Sequence, residues 1–163
     1  MKRENDEHPF GDAGQLILFF LFLILWAGDS FFLGKSTFLS KYVPLSVRIV
    51  IMSLAMIAAL YLGKSGHAVA SREDRPGGVV SAGAFRYVRH PLYLACLLFY
   101  LGLAVSTASL LSLALLVGIF FFYNHIASFE EKVLESKYRE HYVAYKNRTG
   151  KWIPKPKAIR SHA

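Results

Sequence analysis

The sequence predicts an all-α integral membrane protein with about four transmembrane helices, and three observations support this fold class. The composition is 54% hydrophobic with a mean hydropathy of +0.35, against about 45–50% apolar residues in soluble domains. Long apolar blocks alternate with short basic segments, as in multi-span membrane proteins. The last apolar block leads into a stretch with amphipathic helical spacing. The 163 residues suit one membrane domain, divided into an N-terminal tail, two N-terminal spans, a core and a basic tail (1–14, 15–62, 63–154 and 155–163).

The first apolar block predicts a retained membrane helix over residues 15–33. It follows a tail of mixed charge and lacks a clear Ala-x-Ala cleavage site, so it does not resemble a secretory signal. Asp29 is expected near the membrane interface, because a carboxylate in the bilayer core is costly. A second span is predicted over residues 47–62, with Arg48 reaching back to the interface. The glycine-rich segment 63–91 is predicted to be a loop.

The block 92–123 holds no charged residue and predicts a tight helical hairpin. As one straight helix, its 32 residues would extend about 48 Å, well beyond a bilayer core of roughly 30 Å. A Ser-Thr-Ala-Ser segment breaks the block, so we predict spans over 92–105 and 109–123. Cys96, the single cysteine, lies inside this block without a partner for an internal disulfide or a zinc site, and no metal site is predicted.

The segment 124–148 predicts an amphipathic helix that follows the fourth span. Leu134, Tyr138 and Tyr142 recur every four residues, which places them on one face of a continuous helix. Gly150 is then a stop signal. The sequence therefore predicts a surface helix that continues from the membrane.

Lysine and arginine are distributed unevenly between the two sides of the predicted membrane. The N-terminal tail, the middle loop and the C-terminal segment hold sixteen of them, and the opposite side holds three. Because positively charged loops stay in the cytoplasm, we expect both termini, the middle loop and the amphipathic helix to be cytoplasmic. The same distribution accounts for the net charge of +8, so no nucleic-acid partner is predicted.

A basic and aromatic segment lies where the middle loop enters the third span. It contains Arg86, Arg89 and His90, followed by Pro91 at the expected helix start. Cationic side chains beside a helix N-terminus favour an anionic group on a ligand. The alternative is that these arginines only flank the membrane span.

An acidic pair, Glu130 and Glu131, lies where the fourth span leaves the membrane. Asn124 is seven residues before Glu131 and shares its helix face. The alternative is an ordinary acidic start to a surface helix. Across the hairpin, the acidic pair and the basic segment would form a site for a zwitterionic ligand with amino and carboxylate groups, although these residues do not select one such ligand.

The stretch Arg89-His90-Pro91-Leu92-Tyr93 resembles the Arg-His-Pro-x-Tyr signature of the isoprenylcysteine carboxyl methyltransferase family and its bacterial relatives. The downstream Glu-Glu pair is similar to an element that related phospholipid methyltransferases share. The resemblance covers residues 78–154. It implies a membrane methyltransferase that holds S-adenosylmethionine at the cytoplasmic face.

The resemblance also implies roles for particular residues. It makes Arg89 and Glu131 the candidate catalytic residues, and either glutamate of the pair the partner of the cofactor's amino group. The predicted cofactor-binding residues are Tyr87, Val88, His90, Pro91, Tyr93, Leu94, Glu130 and Glu131.

The implied reaction is methyl transfer to a lipophilic acceptor that carries a carboxylate, thiol or amine. The acceptor, a small molecule or a lipidated substrate, is expected to arrive from the surrounding membrane lipids, and no particular oligomeric state is predicted. One alternative is an NADPH-dependent membrane reductase, because sterol reductases also resemble the Arg-His-Pro-x-Tyr pattern. The other is a non-catalytic membrane protein. Cofactor binding distinguishes these possibilities.

Overall fold

The computed structural model describes residues 11–70 and 79–156, and its elements there are helical. Helix α1 covers Gly11–Ala27 and continues into a π-helical turn, Gly28–Leu33. Helices α2, α3 and α4 cover Leu45–Ala70, Pro91–Thr107 and Leu110–Arg148. Two short 3-10 turns, Phe38–Lys41 and Gly83–Arg86, lie in the connections. The predicted all-α class is confirmed.

Within residues 11–70 and 79–156, three helical segments are long and apolar enough to cross a membrane, namely 13–33, α2 and α4. The 17 residues of α3 are also apolar but extend only about 25 Å, less than a bilayer core. Apolar side chains such as Ile17, Ile24 and Phe121 are 65–68% exposed. A soluble protein rarely exposes so much contiguous apolar surface, whereas a lipid environment favours it.

The predicted hairpin between α3 and α4 is confirmed. Ala108 adopts the left-handed conformation (φ 53°) and ends α3. Ser109 then caps α4, since its side chain accepts a hydrogen bond from the amide of Ser112. The turn lies within the segment where the sequence predicted the break.

Helix α2 extends eight residues beyond its predicted end, to Ala70, so the loop predicted from residue 63 is wrong over 63–70. Gly66 explains how a glycine-rich segment stays helical. A Cβ atom there would lie 3.0 Å from Leu92 Cδ2, so glycine permits the close packing of α2 on the start of α3. Residues 1–10, 71–78 and 157–163, which belong to the predicted tails and loop, lie outside the described residues.

Helix α4 is interrupted at Arg139, whose backbone has φ 43° and ψ −120°. Lys146 Nζ donates a hydrogen bond to the carboxylate of Glu135. In an uninterrupted helix these residues would lie about 16 Å apart along the axis, so the chain after Arg139 folds back along α4. The predicted continuous face of Leu134, Tyr138 and Tyr142 is therefore wrong.

At the opposite end of the helices, Asp29 is buried against protein rather than exposed at the interface. Its carboxylate accepts hydrogen bonds from Ser109 Oγ (2.6 Å) and the Ser36 amide (3.1 Å), as well as from Ser36 Oγ. These bonds replace the water that a buried carboxylate loses. They also join the first span to the hairpin turn.

Candidate active site

The candidate site forms where the loop before α3, the middle of α4 and the chain after α4 meet. Val88 and Gly150 form a parallel β-bridge, and the Arg89 amide donates to the Gly150 carbonyl at 2.9 Å. A Cβ atom on Gly150 would lie 1.8 Å from the carbonyl oxygen of Ile153, so only glycine fits this tight turn. The bridge holds the C-terminal segment, which we define as residues 140–156, beside the start of α3.

A second contact joins the same two segments. Tyr145 Oη donates to the Phe85 carbonyl at 2.7 Å. Burial raises the pKa of Tyr145, so the phenol stays protonated and remains a donor. The C-terminal segment is thus attached to the loop before α3 at two points, Tyr145 and Gly150.

Arg89 and Glu131 form a buried ion pair at the centre of the site. Arg89 Nε lies 2.9 Å from Glu131 Oε1, and His90 Nε2 lies 3.0 Å from the same oxygen. Burial opposes ionisation of Glu131, but the hydrogen bonds from His90 and Arg89 and the charge of Arg89 outweigh it. They lower the pKa of Glu131 to about 2. Glu131 is therefore a carboxylate at neutral pH.

The other end of the Arg89 guanidinium reaches the C-terminal segment. Nη1 donates to the carbonyl oxygen of Thr149 at 2.5 Å and to that of Lys146 at 3.3 Å. Lys146 Nζ in turn lies 3.9 Å from Glu131 Oε2. Arg89 therefore links the Glu131 carboxylate, which precedes the turn at Arg139, to the backbone of Lys146 and Thr149, which follow it.

Glu130 lies in a different environment from Glu131. Its side chain is 23% exposed, whereas that of Glu131 is 9% exposed. Tyr93 Oη donates to Glu130, and His90 Nδ1 lies 3.6 Å from its other oxygen. The adjacent glutamates thus both lie beside His90 but differ in exposure, and Glu130 keeps more access to a ligand.

Four aromatic rings line the same region. The rings of His90 and Tyr93 stack with centroids 5.8 Å apart, and Tyr93 stacks on Tyr123 at 5.3 Å. Trp152 lies 5.9 Å from the His90 ring, and its Nε1 donates to Asn124 Oδ1 at 3.1 Å. Aromatic faces beside carboxylates form an environment that suits a methylated cation.

The remaining predicted residues occupy the edges of this cluster. Val88 is buried in the bridge, and Pro91 is buried at the first position of α3. Leu94 is half-buried and donates its amide to the His90 carbonyl at 3.0 Å. Tyr87 is 44% exposed at the end of the Gly83–Arg86 turn. The structure therefore groups Arg89, His90 and Tyr93 with both glutamates, while Tyr87 lies nearer to the solvent.

Several contributors from the C-terminal segment were not predicted from the sequence. Lys151 Nζ donates to Ser128 Oγ at 2.7 Å and to the Asn124 carbonyl at 3.1 Å, and burial lowers the pKa of Lys151. Thr149 contributes a backbone carbonyl, which no side-chain pattern reveals. Lys146 is eleven residues after Glu135 in the sequence, and only the turn at Arg139 brings it to the site.

A protein-family model described as phospholipid methyltransferase matches residues 39–141, more than half of the chain. The chain therefore belongs to this family of membrane methyltransferases, which is related to the isoprenylcysteine carboxyl methyltransferases. The matched range includes the arginine–histidine segment and both glutamates, and it ends before the Gly150 bridge. No curated protein and no solved structure gives a significant match. The chain is thus an integral membrane protein of a methyltransferase family.

Proposed function

We propose that the site binds S-adenosylmethionine and transfers its methyl group to a lipophilic acceptor at the cytoplasmic membrane face. One observation carries the proposal. Glu130, a partly exposed carboxylate, lies beside a set of aromatic rings, and the buried Arg89–Glu131 pair contacts the same histidine, His90. The family membership supports methyl transfer as the reaction class.

The residues present fit the charges of S-adenosylmethionine, which has an ammonium, a carboxylate, a sulfonium and an adenine ring. Glu130 is suited to the ammonium, and the rings of His90, Tyr93 and Trp152 are suited to the adenine or the sulfonium. The N-terminus of α3, with Pro91 at its first position, supplies positive potential for the carboxylate. When bound, the cofactor supplies a methyl carbon that is already activated for transfer.

The contacts support different roles for the two predicted catalytic residues and for Glu130. Glu131 Oε1 accepts from both Arg89 and His90, and Arg89 is engaged with carbonyls as well. We therefore assign Arg89 and Glu131 as positioning residues that fix His90 and the C-terminal segment. Glu130 is the residue that we assign to direct cofactor contact.

The reaction needs alignment more than acid–base chemistry. A bound S-adenosylmethionine would supply an electrophilic methyl group and would leave as a neutral thioether, so the residues of the site would need only to hold the sulfonium in line with the acceptor atom. A carboxylate or thiolate acceptor has no proton to release. An amine acceptor must arrive neutral, and where the methylated product still carries an N–H group it releases a proton to solvent. Holding the reactants in line lowers the barrier by several kcal/mol.

The proposed orientation follows from charge. In the topology predicted from the sequence, sixteen of the nineteen lysine and arginine residues belong to the segments on the side of the site, which supports a cytoplasmic location for both termini and the site. This side gives access to a soluble cofactor. The acceptor, a lipophilic small molecule or a lipidated substrate, enters from the membrane lipids.

Isothermal titration calorimetry of S-adenosylmethionine into the purified protein tests the proposal. We expect saturable binding that Glu130→Gln weakens at least tenfold, because an amide cannot neutralise an ammonium. Glu140→Gln is the matched control, since Glu140 is exposed beyond the turn at Arg139, and it should bind as the wild type does. Absence of binding by folded protein at millimolar cofactor would refute the proposal, and binding of NADPH instead would favour a reductase.

A further inference from the structure

The C-terminal segment runs back along α4 from the turn at Arg139 toward the hairpin end of that helix. Lys151 Nζ donates a hydrogen bond to Ser128 Oγ at 2.7 Å. One residue later, the ring of Trp152 packs beside the ring of Phe120, with centroids 5.6 Å apart. Phe120 is eight residues earlier on α4 than Ser128, about 12 Å along the helix axis. The contacts of the segment therefore move toward the membrane as the chain proceeds.

The residues of α4 that Trp152 contacts belong to its apolar span. Residues 110–129 contain no lysine, arginine, aspartate or glutamate, and twenty residues of helix extend about 30 Å, the thickness of a bilayer core. Phe120 lies within this stretch, and so does Asn124, whose Oδ1 accepts from Trp152 Nε1 at 3.1 Å. An indole with an apolar body and a satisfied N–H group is typical of tryptophan at a membrane interface.

A tight turn over residues 150–154 presents the next side chain at the same level. A Cβ atom on Gly150 would lie 1.8 Å from the carbonyl oxygen of Ile153, so the chain reverses direction there. Lys155 Nζ then donates to the Lys146 carbonyl at 3.0 Å, which shows that the chain after the turn heads away from the membrane. The side chain of Ile153 is 78% exposed. The turn 150–154 therefore presents an apolar side chain at the level of the lipid.

The surroundings of the turn are basic. Residues 141–163 contain six lysines and arginines and no aspartate or glutamate. Arg148 and Lys155 are exposed on either side of the turn. An apolar side chain between cations fits a surface that is apolar below and negatively charged above, which describes an anionic lipid leaflet. A soluble acidic protein would match the charge but not the level of Ile153 beside the apolar span.

We propose that the turn 150–154 binds the anionic lipid surface of the leaflet nearest the candidate site, with Ile153 among the upper acyl chains and Arg148 and Lys155 at lipid phosphate groups. Trp152 belongs to the aromatic cluster of the candidate site, so this lipid contact supports one wall of that site. The contact does not depend on the reaction that the site catalyses, and it can be tested without cofactor or acceptor.

A spin label tests the depth of the turn. Cys96→Ala removes the only cysteine, and Ile153→Cys then carries one nitroxide in nanodiscs of equal parts phosphatidylcholine and phosphatidylglycerol. Power saturation compares collisions with oxygen, which concentrates in lipid, and with a nickel chelate, which stays in water. Asn147→Cys in the same background is the matched control, since Asn147 is an exposed residue of the same segment. We expect the ratio of oxygen to nickel accessibility to be several times larger at 153 than at 147, and equal ratios would overturn the proposal.

Hydrogen–deuterium exchange of residues 146–154 tests the charge of the partner. Nanodiscs of phosphatidylcholine alone are compared with the mixture that contains phosphatidylglycerol. A lysine or arginine at an anionic surface shifts attachment about fivefold, so exchange through the detached state should slow about fivefold for one engaged cation and roughly twenty-five-fold for two. Arg148→Gln/Lys155→Gln should abolish this difference between the two lipid compositions. Lys41→Gln, an exposed lysine at the opposite end of the helices, should retain it.

Further outcomes identify the source of the anionic group. Inorganic phosphate added to phosphatidylcholine nanodiscs should leave exchange unchanged, and slowing equal to that caused by phosphatidylglycerol would overturn the lipid assignment. Salt should shrink the effect of phosphatidylglycerol, because exposed charges are screened. Equal exchange in the two lipid compositions would also overturn the proposal, even if the label at 153 lies in lipid. Neither measurement involves S-adenosylmethionine, so each of these outcomes leaves the proposed function as it stands.

Discussion

Replacing Arg89 with methionine should detach the C-terminal segment from the site. The substitution keeps a long apolar stem but removes the cation next to Glu131 and the donors to the carbonyls of Thr149 and Lys146. Side chains of the Arg89–Glu131 pair are only 8% and 9% exposed. Removing one member of such a buried pair typically costs about 3–5 kcal/mol, because the remaining charge is left buried without its partner.

That cost should appear as local opening of the segment after Arg139. At about 1.4 kcal/mol for each factor of ten in an equilibrium constant, a loss of about 3 kcal/mol would speed amide exchange of residues 140–152 roughly a hundredfold if they open as a unit. Hydrogen–deuterium exchange followed by mass spectrometry measures this directly. Arg86→Met is the matched control, since Arg86 is an exposed arginine three residues earlier, and it should leave exchange in 140–152 unchanged.

A double variant tests whether the unpaired charge of Glu131 causes the loss of protection in Arg89→Met. Adding Glu131→Gln to Arg89→Met removes the unpaired charge and should recover part of the lost protection, because residues in contact are energetically coupled. If Arg89→Met leaves exchange of 140–152 at the wild-type rate, the ion pair does not hold this segment, and the reasoning fails.

Three further predictions concern stability. The pKa of Glu131 is about 2 in the folded protein, below its usual 4.5, so the stability that its carboxylate contributes is present above about pH 4.5 and is lost as the pH falls toward 2. Glu131→Gln should therefore reduce the dependence of the melting temperature on pH over that interval, and an unchanged dependence would contradict the assignment. Arg139→Gly should stabilise the fold by about 1 kcal/mol by relieving the left-handed backbone, whereas Arg139→Ala should not, as thermal unfolding would record. Asp29→Asn should destabilise by about 1–3 kcal/mol, because the amide group replaces an acceptor of buried hydroxyl donors; an unchanged melting temperature would argue against it.

Much of the membrane fold could be predicted because it depends on length and charge. A charge-free block of 32 residues is too long for one span, which required the hairpin that Ala108 forms. The pairing of the arginine–histidine segment with the acidic pair followed from the hairpin, since both segments lie at its same end. These inferences needed no knowledge of side-chain packing.

The turn at Arg139 could not be predicted from local sequence. Residues 124–148 contain no glycine or proline, and their spacing suits a continuous amphipathic helix. The turn is stabilised instead by distant contacts, in which Tyr145 bonds to the Phe85 carbonyl and Arg89 bonds to the Thr149 carbonyl. Tertiary contacts override local propensity here.

The extension of α2 has a similar origin. Gly63 and Gly66 suggested a loop, because glycine is unfavourable within helices. In the fold, Gly66 is where α2 packs closely on Leu92, and this contact has no signature along the chain. The same limit applies to backbone donors and acceptors in the site, such as the Thr149 carbonyl.

The most direct test of the central claim is transfer of a labelled methyl group. The protein in nanodiscs is incubated with methyl-labelled S-adenosylmethionine and a lipid extract of its source membrane, and label is counted in the organic phase. We expect one molecule of S-adenosylhomocysteine for each label recovered there, with transfer lost in Glu130→Gln and retained in Glu140→Gln. Protein that binds the cofactor but moves no label to any extract component would contradict it.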